Sequence, residues 1–158
     1  MRALASTAFA LCAALHAATC LAQPAPDLAK PRFDAALAQS TGADERGMRG
    51  YILVVLKTGP NRVAAGPERD EMFKGHFANM KRLSAEGKLV LAGPFDGADG
   101  WRGLFIFAST NVDEVQRLVA TDPVIAKGEM VAELHPYSGT AALMLVRDLH
   151  ETIAKMPM

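Results

Sequence analysis

Cysteine is nearly missing from this sequence. Cys12 and Cys20 are its only two, and both fall within the first 22 residues. If that segment is removed, the remaining chain holds no thiol, which excludes disulfides, thiolate nucleophiles and Cys-ligated metals. An excess of charge is missing as well. Lys+Arg and Asp+Glu stand at 17 each, with no basic run or basic helix face, so no nucleic-acid partner is expected. Several signatures of chemistry are also lacking. There is no HxxH or HExxH pair and no GxSxG, Walker or dinucleotide-binding loop. "GPFDGADG" has two Gly-Asp turns but not the ligand spacing of a Ca²⁺ loop, and no metal site is expected.

What is there begins with a leader. Met1 and Arg2 precede "ALASTAFALCAALHAATCLA", which has no acidic residue and no further Lys or Arg. Small residues at Cys20 and Ala22 suit signal peptidase, so cleavage after Ala22 and a secreted or periplasmic product are predicted. Two alternatives are an uncleaved anchor, whose apolar run His16 and the Ser and Thr residues dilute, and a lipoprotein attached through Cys20, for which Ala17 and Thr19 match a lipobox poorly. After cleavage, no association with the membrane is expected.

The remainder is one globular domain by length and composition. Residues 23–48 read as a Pro- and Ala-rich linker followed by a short helix from Pro31 to Ser40, with Gly42 just past its end. "YILVVLK" (Tyr51–Lys57) is a strand. Pro67 opens the strongest helix, acidic residues enrich its first turn, and Gly87 stops it; Gly75 weakens its middle. "KLVLAGPF", the turn "DGADG" and "WRGLFIFAS" form a hairpin. Asn111 caps a second helix, with Val112, Val115, Leu118 and Val119 as its buried stripe. "TDPVIAKG" reads as one helical turn, and Glu129–Tyr137 as the fourth strand. Residues 139–158 form an amphipathic extension, with Leu143, Val146, Leu149 or His150, and Ile153 along one side.

The order β-α-β-β-α-β is the ferredoxin-like split unit: an α+β fold with a four-stranded antiparallel sheet and both helices on one face. Yet "YILVVL", "KLVLA" and "LFIFA" are nearly continuous apolar runs, as expected of strands covered on both faces. A second copy is the economical cover, which predicts a homodimer packed sheet to sheet. The terminal helices folding over the open face are the intramolecular alternative.

One histidine draws notice. In "FKGHFANMKRL", Phe73, Phe77, Met80 and Leu83 make a helical stripe with His76 on it. In the split unit, the start of the first helix and the end of the second lie at one end of the sheet. Asp122 can therefore approach His76 across 46 positions. A carboxylate on one ring nitrogen fixes the tautomer and raises the basicity of the other, preparing a general base. The ordinary alternatives are a packed histidine bonded to a carbonyl and an aspartate that caps the turn at Pro123. His135 reads as a strand-end residue and His150 as part of the exposed side of the last helix. Lys57 lies at the same end of the sheet and could meet a ligand, or be an exposed strand-end lysine.

"HFANMKRLSAEGKLVLAGPF", "GWRGLFIFAST" and "TDPVIAKGEMVAELHPY" together resemble the YCII-related family. Its pattern is a His-led helix, a "G-x-(L/V)-x-x-A-G-P" strand entry (here Gly87 to Pro94), a hairpin, and a "D-P-(x)n-G" segment (Asp122–Pro123 to Gly128). The resemblance covers roughly residues 50–138. It implies a ferredoxin-like domain, here residues 49–138, that dimerises as an α+β barrel, with His76 and Asp122 as the active pair and no cofactor. One member of that family is a dehydrochlorinase acting on a chlorinated hydroxyquinol. Elimination or isomerisation of a small molecule is therefore chemically admissible. Neutral His76 would abstract or relay a proton, Asp122 would hold it, and Lys57 or Arg102 would neutralise an anionic substrate. A non-catalytic small-ligand binder and an interaction domain are the competing functions.

Overall fold

The computed structural model describes residues 32–155. The leader with its cleavage site, and the linker as far as residue 31, lie outside them, as do the last three residues. The elements run α1 (Ala35–Thr41), β1 (Met48–Thr58), α2 (Pro67–Ala85), β2 (Leu89–Pro94), β3 (Trp101–Phe107), α3 (Val112–Ala120), α4 (Pro123–Ala126), β4 (Met130–Thr140) and α5 (Val146–Ile153). The sheet order is β2-β3-β1-β4, every neighbour antiparallel. This is the ferredoxin-like α+β arrangement expected from the element order.

Local signals set most boundaries. Asp34 caps α1 by accepting from Leu37 N–H, and Gly42 closes it in the left-handed conformation at φ 68°. Asn111 accepts from Glu114 N–H at the start of α3. β1 and β4 run longer than their β-formers suggest. Met48–Gly50 and Ser138–Thr140 are poor strand residues, yet they pair with each other, because a partner in register outweighs weak local preference.

Ile52, Val54 and Leu56 of β1 point to the helix-covered face. They pack there with Phe105, Phe107, Met72, Leu83, Val115, Val119 and Val124. Two helical positions depart from the expected stripes. Phe77 is 61% exposed, because α2 turns the line Met72–His76–Leu83 to the sheet rather than the line through Phe77. Val112 is 39% exposed at the first turn of α3, leaving Val115 and Val119 as its buried contacts.

The opposite face carries Tyr51, Leu53, Val55 and Lys57. It is covered at one end by the chain itself. A 3₁₀ segment, Ala141–Leu145, lays Leu143 and Met144 over Tyr51, Val90 and Ile106. The expected long C-terminal helix is thus split. Its second half, α5, leaves Leu149 and Ile153 61% and 79% exposed, so they form no buried stripe here. No helix among the described residues is long and apolar enough to cross a membrane.

Candidate functional site

His76 lies midway along α2, and its ring is buried between α2 and the sheet. Phe105 stacks on it at 6.1 Å between centroids, Phe73 meets it edge-on at 6.0 Å, and Phe77 tilts against it at 5.4 Å. Its Nδ1 stands 2.7 Å from Asp122 Oδ2. Asp122, 1% exposed, spends its other oxygen on the Val124 N–H, 3.1 Å away, which starts α4. Partner and cap, the two readings of Asp122, are therefore one residue using two oxygens. An ionised carboxylate only accepts, so with one present the shared hydrogen belongs to Nδ1, and in the neutral ring the lone pair is on Nε2. Nε2 has no hydrogen-bond partner among the described residues, while no buried side-chain nitrogen or oxygen there lacks one. Nε2 therefore keeps contact with solvent, although the side chain is only 9% exposed.

The closeness depends on Gly75. A Cβ there would lie 2.9 Å from Pro123 Cγ, inside van der Waals contact. The glycine that looks like a weak point of the helix is the surface on which α4 rests, and it brings Asp122 to His76. Gly75→Ala would gain about 1 kcal/mol of helix propensity, but overpacking of this kind costs about 1–3 kcal/mol. We expect a net loss of stability in urea denaturation and a displaced Asp122, read as a changed ¹⁵N imidazole signal of His76. An unchanged signal would dissociate Gly75 from the dyad. On the adjoining surface, Asn79 Oδ1 accepts from Arg82 Nη2 at 2.8 Å and from Thr121 Oγ1 at 3.1 Å, tying α2 to the residue before Asp122.

A hollow of about 490 Å³ is lined by Glu68, Glu71, Met72, Gly75, Pro123 and Lys127, and by neither His76 nor Asp122. Gly75 and Pro123 are the chain neighbours of His76 and Asp122. Lys127 spans the hollow's edge to Glu68 at 2.6 Å and holds the Glu68 carboxyl below its ordinary range. A second hollow of about 320 Å³, between Gly50, Tyr51 and Tyr137, does not touch His76 or Asp122 either.

Lys57 does not join this site. It alternates with Tyr51 and Val55 onto the face away from the helices and pairs with Glu133 at 2.8 Å. Being at the right end of the sheet does not put a side chain on the right face, since successive strand residues point to opposite sides. Arg102 behaves differently. The register slips between Leu56↔Gly103 and Lys57↔Trp101, leaving Arg102 on a bulge. Its Nη1 lies 4.0 Å from Glu129 Oε1. No group of three or more His, Cys, Asp or Glu able to hold a metal occurs among the described residues.

Glu129, which had seemed only the first residue of a strand, is fully buried and stands at the centre of a second polar cluster. Its Oε1 accepts from Arg69 Nη1 at 2.7 Å, and its Oε2 from the Val63 N–H at 2.7 Å. Arg62 Nε is 3.6 Å from Oε1. Burial pushes the Glu129 carboxyl up. The Val63 and Arg69 hydrogen bonds, with the charges of Arg69 and Arg62, outweigh that and hold it below the ordinary carboxylate range. Arg69 in turn lies over Phe73, its Cζ 4.8 Å from the ring centre. No local pattern marks Glu129 in the sequence, because its partners come from three separate segments.

The YCII-related domain matches residues 50–136 of the chain. An uncharacterised protein of Bacillus subtilis (strain 168), YjpA, is 33% identical over 81 residues, which are 51% of this chain and 85% of that protein. Among solved structures, 5-chloro-2-hydroxyhydroquinone dehydrochlorinase (TftG) of Burkholderia phenoliruptrix AC1100, in complex with 2,5-dihydroxybenzoquinone, is similar with a TM-score of 0.42 and 22% identity. That match covers 55% of this chain and 92% of the other. With its β-α-β-β-α-β sheet and a match running from the first strand to the last, the chain belongs to the YCII-related family.

Proposed function

We propose that this protein is a cofactor-independent enzyme acting on a small molecule by proton transfer, of lyase or isomerase type. His76 Nε2 takes a proton from the substrate and returns it, and Asp122 holds the imidazole and balances its positive form. The observation that carries this reading is the 2.7 Å Nδ1–Oδ2 contact, combined with an Nε2 that bonds to no described residue within an aromatic surround. The test is a thermal-shift screen of small organic molecules, followed by turnover assays on each hit. Hits turned over by the wild type and not by His76→Ala support the enzyme. Hits that bind both proteins and are never consumed support a ligand-binding domain instead.

The partner on the open sheet face is proposed to be a second copy. Trp101, Val131 and Tyr137 share that face with Lys57 and Tyr51 and are 42%, 41% and 40% exposed, beyond the reach of the 3₁₀ segment. Burying such a surface favours association. Light scattering at micromolar concentration is expected to give the dimer mass; a monomer refutes the pairing. Export is likewise proposed, on the strength of the leader alone. Intact mass of the protein from the medium or periplasm should show Gln23 at the N-terminus.

A further inference from the structure

Three guanidinium groups converge on one carboxylate. Arg62, Arg69 and Arg102 all approach Glu129 Oε1, at 3.6, 2.7 and 4.0 Å. Each oxygen of Glu129 already accepts one bond, Oε1 from Arg69 and Oε2 from the Val63 N–H. Arg69 spends Nη1 on Glu129 and on the Val63 carbonyl, 2.9 Å away. Arg62 and Arg102 donate no side-chain hydrogen bond to any described residue. The Arg102 side chain is nevertheless only 22% exposed. A mostly buried guanidinium with five donors and no acceptor is unusual, because such groups are normally paired. None of its nitrogens is sealed from solvent without a partner. Three guanidinium groups thus share one carboxylate, an excess of positive charge that keeps contact with solvent.

We infer that Arg62, Arg69 and Arg102 form a binding site for a small organic anion, carrying a carboxylate, whose body lies along Phe73 toward His76. Guanidinium forks match a planar carboxylate in shape and hydrogen bonding. Phe73 supplies the apolar wall. It lies under Arg69 at 4.8 Å and meets the His76 ring at 6.0 Å, so the arginines and the dyad are the two ends of one aromatic path. A hydrated inorganic anion gains nothing from such a wall, whereas an organic acid buries its ring or chain there. Glu129 fixes one edge of the cluster. The position of the anion rests on the arginines alone; the direction of its body rests on the dyad reading above.

The experiment is an NMR titration of the domain at fixed ionic strength with three probes: benzoate, neutral benzamide and inorganic phosphate. Benzoate should bind and shift the His76 imidazole signals, while benzamide and phosphate should bind at least tenfold more weakly. Arg102→Gln should weaken benzoate at least tenfold. Arg62→Gln, at the more exposed position, should weaken it by a smaller factor, and Lys74→Gln, an exposed change elsewhere on α2, should leave it unchanged. Neither arginine makes a side-chain hydrogen bond within the described residues, so both variants should fold. His76→Ala should retain benzoate, which separates the anion site from the dyad. Equal binding of benzoate and benzamide overturns the site, and so does binding indifferent to both arginine changes. Preference for phosphate makes it an inorganic anion site and overturns the organic assignment. Arginine-dependent binding that leaves the His76 signals still overturns the path to the dyad.

Discussion

Glu129→Ala is expected to destabilise the domain by about 3 kcal/mol and to lower its thermal midpoint by roughly 10 °C. Removing one partner of a buried ion pair costs about 3–5 kcal/mol, because the other charge is left without compensation. The lower end applies here, since Arg62 is 60% exposed and Arg102 and Arg69 about a fifth, so each can partly recover water. The Val63 N–H loses its acceptor as well. Glu129→Gln keeps the volume and isolates the charge. Its pH dependence has a definite sign. The folded carboxyl is held below its ordinary value, so its contribution is complete above about pH 4.3, the unfolded value, and is lost as pH falls through the folded one. Denaturant melts between pH 3 and 7 should show the wild type losing stability on acidification, and Glu129→Gln starting lower and losing less. Parallel curves for the two proteins would mean that Glu129 carries no charge worth holding.

Asp122→Asn is expected to reduce turnover by about 10²–10⁴-fold, the usual contribution of a positioned general base, while the fold persists. The fold persists because the amide oxygen can still cap Val124, so α4 keeps its start. What changes is the other contact. A carboxylate only accepts from Nδ1, whereas an amide can present its NH₂ and impose the opposite tautomer, placing the hydrogen on Nε2 where the lone pair is required. The ¹⁵N shifts of the His76 ring identify which nitrogen carries hydrogen. A tautomer and rate both unaltered by Asp122→Asn would leave Asp122 as a cap and nothing more.

Much of this architecture was legible because its signals are local. Pro67, Asn111 and Gly42 mark ends whose unsatisfied amides and carbonyls need those residues wherever the chain goes next. The meeting of His76 and Asp122 was legible one step further on, since strand and helix order alone brings their two segments to one end of the sheet. Side-chain direction was not. Lys57 was lost to the opposite face, and Phe77 turned outward, because a helical stripe can be drawn through either of two neighbouring lines and only the packed sheet chooses. Arg102 escaped the alternation of its strand through a bulge that no spacing announces. Glu129 was invisible for a related reason: its burial depends on residues 27 to 67 positions away, and each alone resembles an ordinary surface arginine.

The four-residue helix α4 has a consequence for how the protein acquires its site. So short a segment has no helical stability of its own, and forming the first turn is always unfavourable. It exists through the Asp122 cap and the seat that Gly75 provides. The imidazole–carboxylate contact therefore cannot precede the docking of the second βαβ half onto the first. It closes a loop of nearly fifty residues, whose entropy the docked halves must offset. A partly folded chain would carry the histidine and the aspartate apart, and the pair would exist only when the two halves lock.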